Sequence, residues 1–248
     1  MGRLRAAGVI TAAVMVAGLS VPGQVQAREK EEEAKGGEDP AVATVNGQPV
    51  TKADWSTIMK ADQWYGPQLK QKAPFSEQMA GKPFEDFFFT EEVVKIRVMA
   101  QKYSGELPQM KAAIDEIHKK VTAGEDFAEL AKATSQDAGT APKGGDAGQK
   151  EFHEMVFPFN RVMMKLKEGE ISDPIMTIFG YHVLKVDRVM PAIPAEGKGK
   201  RVSVRHILIK FPSPNARAES EQLAKEAKVE VLDKGLCKKL PTYCAPAS

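Results

Sequence analysis

One stretch near the C-terminus constrains this chain of 248 residues more than any other. Arg201 to Phe211 (Arg-Val-Ser-Val-Arg-His-Ile-Leu-Ile-Lys-Phe) is its clearest β-strand, rich in Val and Ile, free of Gly and Pro, and followed by a polar break at Pro212 to Asn215. Such a strand needs neighbours, because buried backbone N–H and C=O groups without partners cost free energy. The alternating segment Tyr181 to Val186 is the nearest strand pattern, and the linker after it is long enough to return an antiparallel partner.

Upstream, the chain divides by composition. Arg3 and Arg5 head an uncharged, mostly apolar run from Ala6 to Val21, and Val25-Gln26-Ala27 offers a small-residue cleavage site before Arg28. Residues 1–27 read as a signal peptide. The run is shorter than the roughly 20 apolar residues of a membrane span and is broken by Gly8, Gly18 and Ser20. No stable membrane span is expected after its removal, and no Cys follows it to carry a lipid. Arg3 and Arg5 are the only charges in this segment, so the 35 Lys and Arg against 33 Asp and Glu become equal without it. Binding of nucleic acid by bulk charge is excluded. With 42% hydrophobic and 27% charged residues, multispanning membrane proteins and wholesale disorder are excluded too.

Residues 28–40 form a charged, flexible leader. From Ala41 the pattern predicts a short strand, an Asn46-Gly47 hairpin turn, a return strand to Val50, and Thr51 as N-cap of a helix over 52–61. A long helix is expected from about Phe84 to Tyr103, with Phe87-Phe88-Phe89 packing between helices or, on the other reading, exposed to bind peptide. Helices are also expected at Met110–Ala123 and Phe127–Lys132, then a Gly-rich loop at Ser135–Gly148, a short helix at Phe157–Leu166, a strand approach at Ile171–Ile175, and a last helix at Ala216–Leu232. Cys237 and Cys244 either pair or remain free thiols.

Ser135-Gln136-Asp137-Ala138-Gly139-Thr140-Ala141-Pro142-Lys143-Gly144-Gly145-Asp146-Ala147-Gly148 resembles the active-site loop of parvulin-type peptidyl-prolyl isomerases. Gly124 to Lys132 resembles the family's second helix, and Leu166 to Ser172 with Thr177 to Val186 resemble its last strands. The Val45-Asn46-Gly47 hairpin and the helices after it are similar to the chaperone module of exported parvulin foldases. The resemblance implies an α+β fold: a parvulin-like antiparallel four-stranded sheet with surrounding helices, beside a helical chaperone-like N-terminal module. The expected divisions are 1–27, 28–40, 41–109, 110–190, the linker 191–200, and 201–248.

One departure stands out. Parvulins begin with a strand carrying a His-Ile-Leu type motif, whereas Tyr103 to Gln109 here cannot be a central strand. The motif appears instead at Val204 to Lys210. Either this C-terminal strand folds back to complete the sheet, or 201–248 starts a truncated second repeat. Completion by a neighbouring chain, in a strand-swapped dimer, is the third arrangement. Completion within the chain is preferred, because an open sheet centre leaves backbone groups unpaired.

Position by position, the resemblance assigns Met155 and Phe159 to a proline-ring pocket, with Ala147 replacing a family Leu and widening it, and Ser135 at the start of the loop as a further substrate-side residue. His182 matches the strand histidine, His206 becomes its partner if the C-terminal strand inserts, Thr177 is the hydroxyl beside them, and Asp137 stands near the substrate carbonyl. Isomerisation makes and breaks no bond, so no cofactor is expected, and four scattered His without supporting Cys or carboxylate spacing predict no metal site. The chain is expected to be an isomerase and folding factor for X–Pro bonds of unfolded, extended proline-containing polypeptides of the cell envelope, located in the periplasm. The alternative is a catalytically inactive parvulin-like chaperone, motivated by Ala147 and by Gln149-Lys150 where the family usually has aromatic residues.

Overall fold

The computed structural model describes residues 39–57, 59–60, 83–193, 195 and 199–244. The expected signal peptide, nearly all of the expected leader and part of the expected 52–61 helix lie outside the described residues. Two antiparallel sheets organise the rest. A three-stranded sheet has the order β2-β1-β7, from β1 (Ala41–Val45), β2 (Gln48–Thr51) and β7 (Val229–Val231). A four-stranded sheet has the order β3-β6-β5-β4, from β3 (Asp146–Glu151), β4 (Ile175–Thr177), β5 (Gly180–Met190) and β6 (Arg201–Lys210).

The first hairpin turns at Asn46 (φ 50) and Gly47 (φ 80), the paired positive φ values of a two-residue hairpin loop. Thr51 at the end of β2 caps the helical turn that begins at Lys52. Its Oγ1 accepts the Asp54 N–H at 3.2 Å while the Asp54 carboxylate accepts the Thr51 N–H at 2.9 Å.

The displaced strand is the centre of the second sheet. β6 pairs with β5 from Gly180↔Lys210 to Met190↔Arg201 and with β3 on its other edge, so the sheet closes within one chain. Both of its faces are covered. Val202, Val204, His206 and Leu208 look toward Phe159 and the Phe84–Val98 region, while Ile207 and Ile209 pack with Ile114 and Phe127. This explains why its apolar residues run on instead of alternating.

Two expectations are corrected. The helix expected from Phe84 to Tyr103 is interrupted by a π-helical segment at Phe89–Val94, between α-helices Phe84–Phe88 and Lys95–Lys102. The segment buries Phe89, Val93 and Val94 and brings Glu92 to Arg161 at 3.0 Å, a use of wide turns that 3.6-residue periodicity cannot reveal. The Phe cluster serves core packing, with Phe87 and Phe88 edge-on to Phe157. The helix expected over Ala216–Leu232 ends at Glu226, and Val229–Val231 leaves it to pair with Val45–Ala43 of β1. Alternating β-branched residues gain a partner edge there that a helix would forgo.

The C-terminal segment thus serves both sheets, and its end is fastened. Thr242 donates its N–H and O–H to the buried Asp86 carboxylate at 3.0 and 2.5 Å, and Tyr243 Oη lies 2.7 Å from Thr90 Oγ1. Cys237 and Cys244 form a disulfide with a sequence separation of 7. Closing so short a loop stabilises by about 2–3 kcal/mol in the chain-entropy account. Reduction is therefore expected to lower the free energy of unfolding in urea by that amount, read through Trp55, whose ring lies 6.4 Å from that of Phe89, itself 5.3 Å from Tyr243. A Cys237→Ser/Cys244→Ser chain should no longer respond to reductant.

Candidate active site

The loop after the Phe127–Thr134 helix continues the edge of β6. Ser135 Oγ accepts the Leu208 N–H at 3.1 Å, the Gln136 N–H donates to the Leu208 carbonyl at 2.8 Å, and Gln136 Oε1 accepts the Lys210 N–H at 2.8 Å. Further on, the carbonyl of Gly145 (φ 78) accepts the His206 N–H at 2.9 Å. A Cβ at Gly145 would lie 2.4 Å from the His206 carbonyl oxygen, so the close approach needs glycine.

Between these anchors stands Asp137. Its carboxylate accepts the Gly139 N–H at 3.1 Å and the Thr140 hydroxyl at 2.6 Å, and lies 2.8 Å from His206 Nε2. The His206 bond above all, then the Thr140 and Gly139 donors, hold Asp137 well below the ordinary carboxylate range. It is ionised and only accepts, so the His206 nitrogen facing it carries a proton. His206 Nε2–H donates to Asp137, with Thr140 Oγ1 also 3.0 Å away. His206 Nδ1 in turn lies 3.2 Å from His182 Nδ1, and His182 Nε2 lies 2.9 Å from Thr177 Oγ1, both at hydrogen-bonding distance. The Thr177 oxygen takes the Phe179 N–H at 3.0 Å. Burial above all, then His206, lowers the His182 pKa well below its ordinary value, so this imidazole is neutral.

A cavity of about 370 Å³ opens over the chain. Its apolar wall holds Ala147, Met155, Val156, Phe159, Phe179 and Leu208, and its polar members include Asp137, Thr140, His182 and His206. The Phe159 ring stands near-perpendicular to both imidazoles, at 5.5 and 5.4 Å. Of the residues expected from sequence, Asp137, His182, His206, Met155, Phe159 and Ala147 meet at this cavity. Thr177 is buried behind His182, and Ser135 does not line the cavity but holds the loop to β6. Thr140 is a further member that the sequence reading misses. The Asp137-x-x-Thr140 spacing of an Asx-type turn is the signal that points to it. A larger cavity, about 600 Å³, lies by Thr90, Lys95, Ala224 and Tyr243 and has no histidine in its lining. Among the described residues no group of three His, Cys, Asp or Glu could hold a metal ion.

The depressed His182 pKa sets a pH dependence. Between the unfolded value near 6.5 and the lower folded value, the unfolded chain binds a proton that the folded chain refuses. The stability involved is full above about pH 6.5 and is lost on acidification, at up to about 1.4 kcal/mol per pH unit. Asp137, also depressed, adds a second loss below about pH 4. Urea unfolding at pH 7, 6 and 5 should show this slope, and a His182→Asn chain should show it reduced by about one proton.

The family model of the rotamase, PPIC-type PPIase domain matches residues 95–188. A foldase protein PrsA of Geobacillus sp. (strain WCH70) is 36% identical over 169 residues, covering 68% of this chain and 59% of its own length. That of Geobacillus kaustophilus (strain HTA426) is 32% identical over 161 residues, covering 61% and 56%. A chaperone SurA of Pseudomonas savastanoi pv. phaseolicola (strain 1448A / Race 6) is 41% identical over 78 residues, 32% of this chain and 18% of its own length. The chain spans less than two thirds of the PrsA relatives it matches. The PPIC-type match covers the Asp137 loop, the Phe159 helix and most of β5 and ends before β6, so that residues 95–188 are similar to the parvulin-type peptidyl-prolyl isomerases.

Proposed function

We propose that the chain catalyses cis–trans isomerisation of X–Pro bonds in unfolded polypeptides exported to the cell envelope, acting there as a folding factor. The carrying observation is the hydrogen-bonded chain Thr177–His182–His206–Asp137 beneath an apolar, proline-sized cavity. Rotation about a peptide bond meets a barrier of about 18–20 kcal/mol because amide resonance is lost at the twisted geometry. A catalyst must bind the twisted amide more tightly than either planar form. Met155, Phe159 and Leu208 provide an apolar seat for the pyrrolidine ring. Asp137 and Thr140 face the rotating carbonyl, and the carboxylate disfavours the charge-separated amide resonance form by lying near its oxygen. The imidazoles orient Asp137 and transfer no proton.

A protease-coupled assay on a proline-containing tetrapeptide tests this. Acceleration over buffer is expected, with kcat/KM reduced about 10²-fold in His206→Ala, as on loss of a preorganised polar group. The alternative, a binding module without catalysis, is favoured by Lys150 and the small Ala147 at the cavity. It predicts suppression of client aggregation with no acceleration. Export to the periplasm rests on residues 1–27 and predicts a mature chain starting at Arg28, readable by N-terminal sequencing of the periplasmic fraction. The helices among the described residues include none long and apolar enough to cross a membrane.

A further inference from the structure

The turn that carries Asp137 and Thr140 is a rigid unit. The Ala141 N–H bonds to the Asp137 carbonyl at 2.8 Å, and the Lys143 and Gly145 N–H groups bond to the Thr140 carbonyl, both at 2.9 Å. A second hold on this unit comes from the far side of β6. Arg205 precedes His206 on β6, so strand alternation puts its guanidinium on the opposite face of the sheet from the imidazole. From that face Nη1 donates to the Gly144 carbonyl at 3.2 Å and lies 3.5 Å from that of Lys143, while Nε donates to Asp187 Oδ2 at 2.7 Å. Asp187 sits in a register shift of β5, between Val186↔Val204 and Arg188↔Ser203. Such bulges leave a residue without a cross-strand partner and re-aim its side chain. Gly144 fits beneath this grip, since a Cβ there would come within 2.6 Å of Ala128 Cβ and 3.2 Å of Arg205 Nη1.

We propose that Arg205, oriented by Asp187, is a positioning residue for the isomerase site, clamping the Thr140–Gly145 turn against β6 so that Asp137 and Thr140 stand at bonding distance from His206. This rests on the isomerase reading above. An exposed ion pair by itself contributes little. The clamp depends instead on the planar fork of arginine, which holds one N–H toward a carboxylate and another toward a backbone carbonyl at a fixed spacing, a geometry that the flexible point-like ammonium of lysine does not reproduce.

The test compares wild type with Arg205→Ala, Arg205→Lys, Asp187→Asn and the Asp187→Asn/Arg205→Ala double variant, in the tetrapeptide assay and by imidazole ¹⁵N NMR. In wild type the His206 Nε2 resonance should be that of a protonated, donating nitrogen. Arg205→Ala and Arg205→Lys are expected to lower kcat/KM about tenfold or more, mainly through kcat. Each should also convert the His206 signal to a mixture of tautomers while melting cooperatively. Asp187→Asn should fall between them and wild type, and the double variant should be no worse than Arg205→Ala, because the carboxylate acts through the guanidinium. Should Arg205→Ala fail to fold, Arg205→Lys and Asp187→Asn carry the same comparison. Activity within twofold of wild type in a folded Arg205→Lys chain, or an unchanged His206 signature in every folded variant, overturns the clamp. If wild type itself shows no acceleration, the isomerase reading fails, and the ¹⁵N signatures still decide whether Arg205 sets the histidine geometry.

Discussion

A chain ending at residue 195 is expected to lose both cooperative unfolding and the proposed isomerase activity. The deletion removes the middle of the four-stranded sheet and leaves the facing edges of β3 and β5 without partners. It also strips β1 of β7. Val202, Val204, Ile207 and Leu240 are fully buried and Phe211 nearly so. Each such side chain contributes about 1.5–3 kcal/mol, and together they approach or exceed the whole margin of about 5–15 kcal/mol that keeps a domain folded. His206 leaves with them, and Asp137 loses its principal donor. Thermal melts by circular dichroism should be broad, and a peptide of residues 199–244 added in trans should restore part of the transition. A truncated chain that melts cooperatively and isomerises at the wild-type rate would show that β6 is dispensable.

Replacing one hydrogen should do nearly as much to the site. In Gly145→Ala the new methyl meets the His206 carbonyl oxygen at 2.4 Å and Ala131 Cβ at 3.2 Å, at a φ of 78 that L residues rarely adopt. The nearest atom is backbone, so no rotamer change relieves the contact. The loop must lift from β6, weakening the bond from the His206 N–H to the Gly145 carbonyl and drawing Asp137 away from His206. Strain and overpacking together should cost about 2–4 kcal/mol, and a displacement near 1 Å about 10²-fold in kcat/KM. Gly139→Ala is the control, since its Cβ would meet only Asp137 Oδ1 at 3.4 Å, an ordinary contact. Equal urea midpoints and rates for the two variants would mean that the loop does not need its close seat on β6.

The sequence carried the local part of this architecture. The run Arg201–Phe211 identified a central strand by its composition, Asn46-Gly47 identified a hairpin, and the Gly-rich segment 135–148 marked the loop through its likeness to a known active site. His182, Asp137, Met155 and Phe159 were legible because each sits within a motif whose spacing is set by neighbouring residues. The tertiary structure decided the rest. The π-helical segment at Phe89–Val94, the pairing of Val229–Val231 with β1, the Cys237–Cys244 bridge, and the roles of Thr140 and Arg205 all depend on which distant backbone edge or side chain lies opposite. Periodicity reports which face of an element is buried, but pairing depends on which edges stay open once the other strands are placed. Residues far apart in the chain settle that only when they meet.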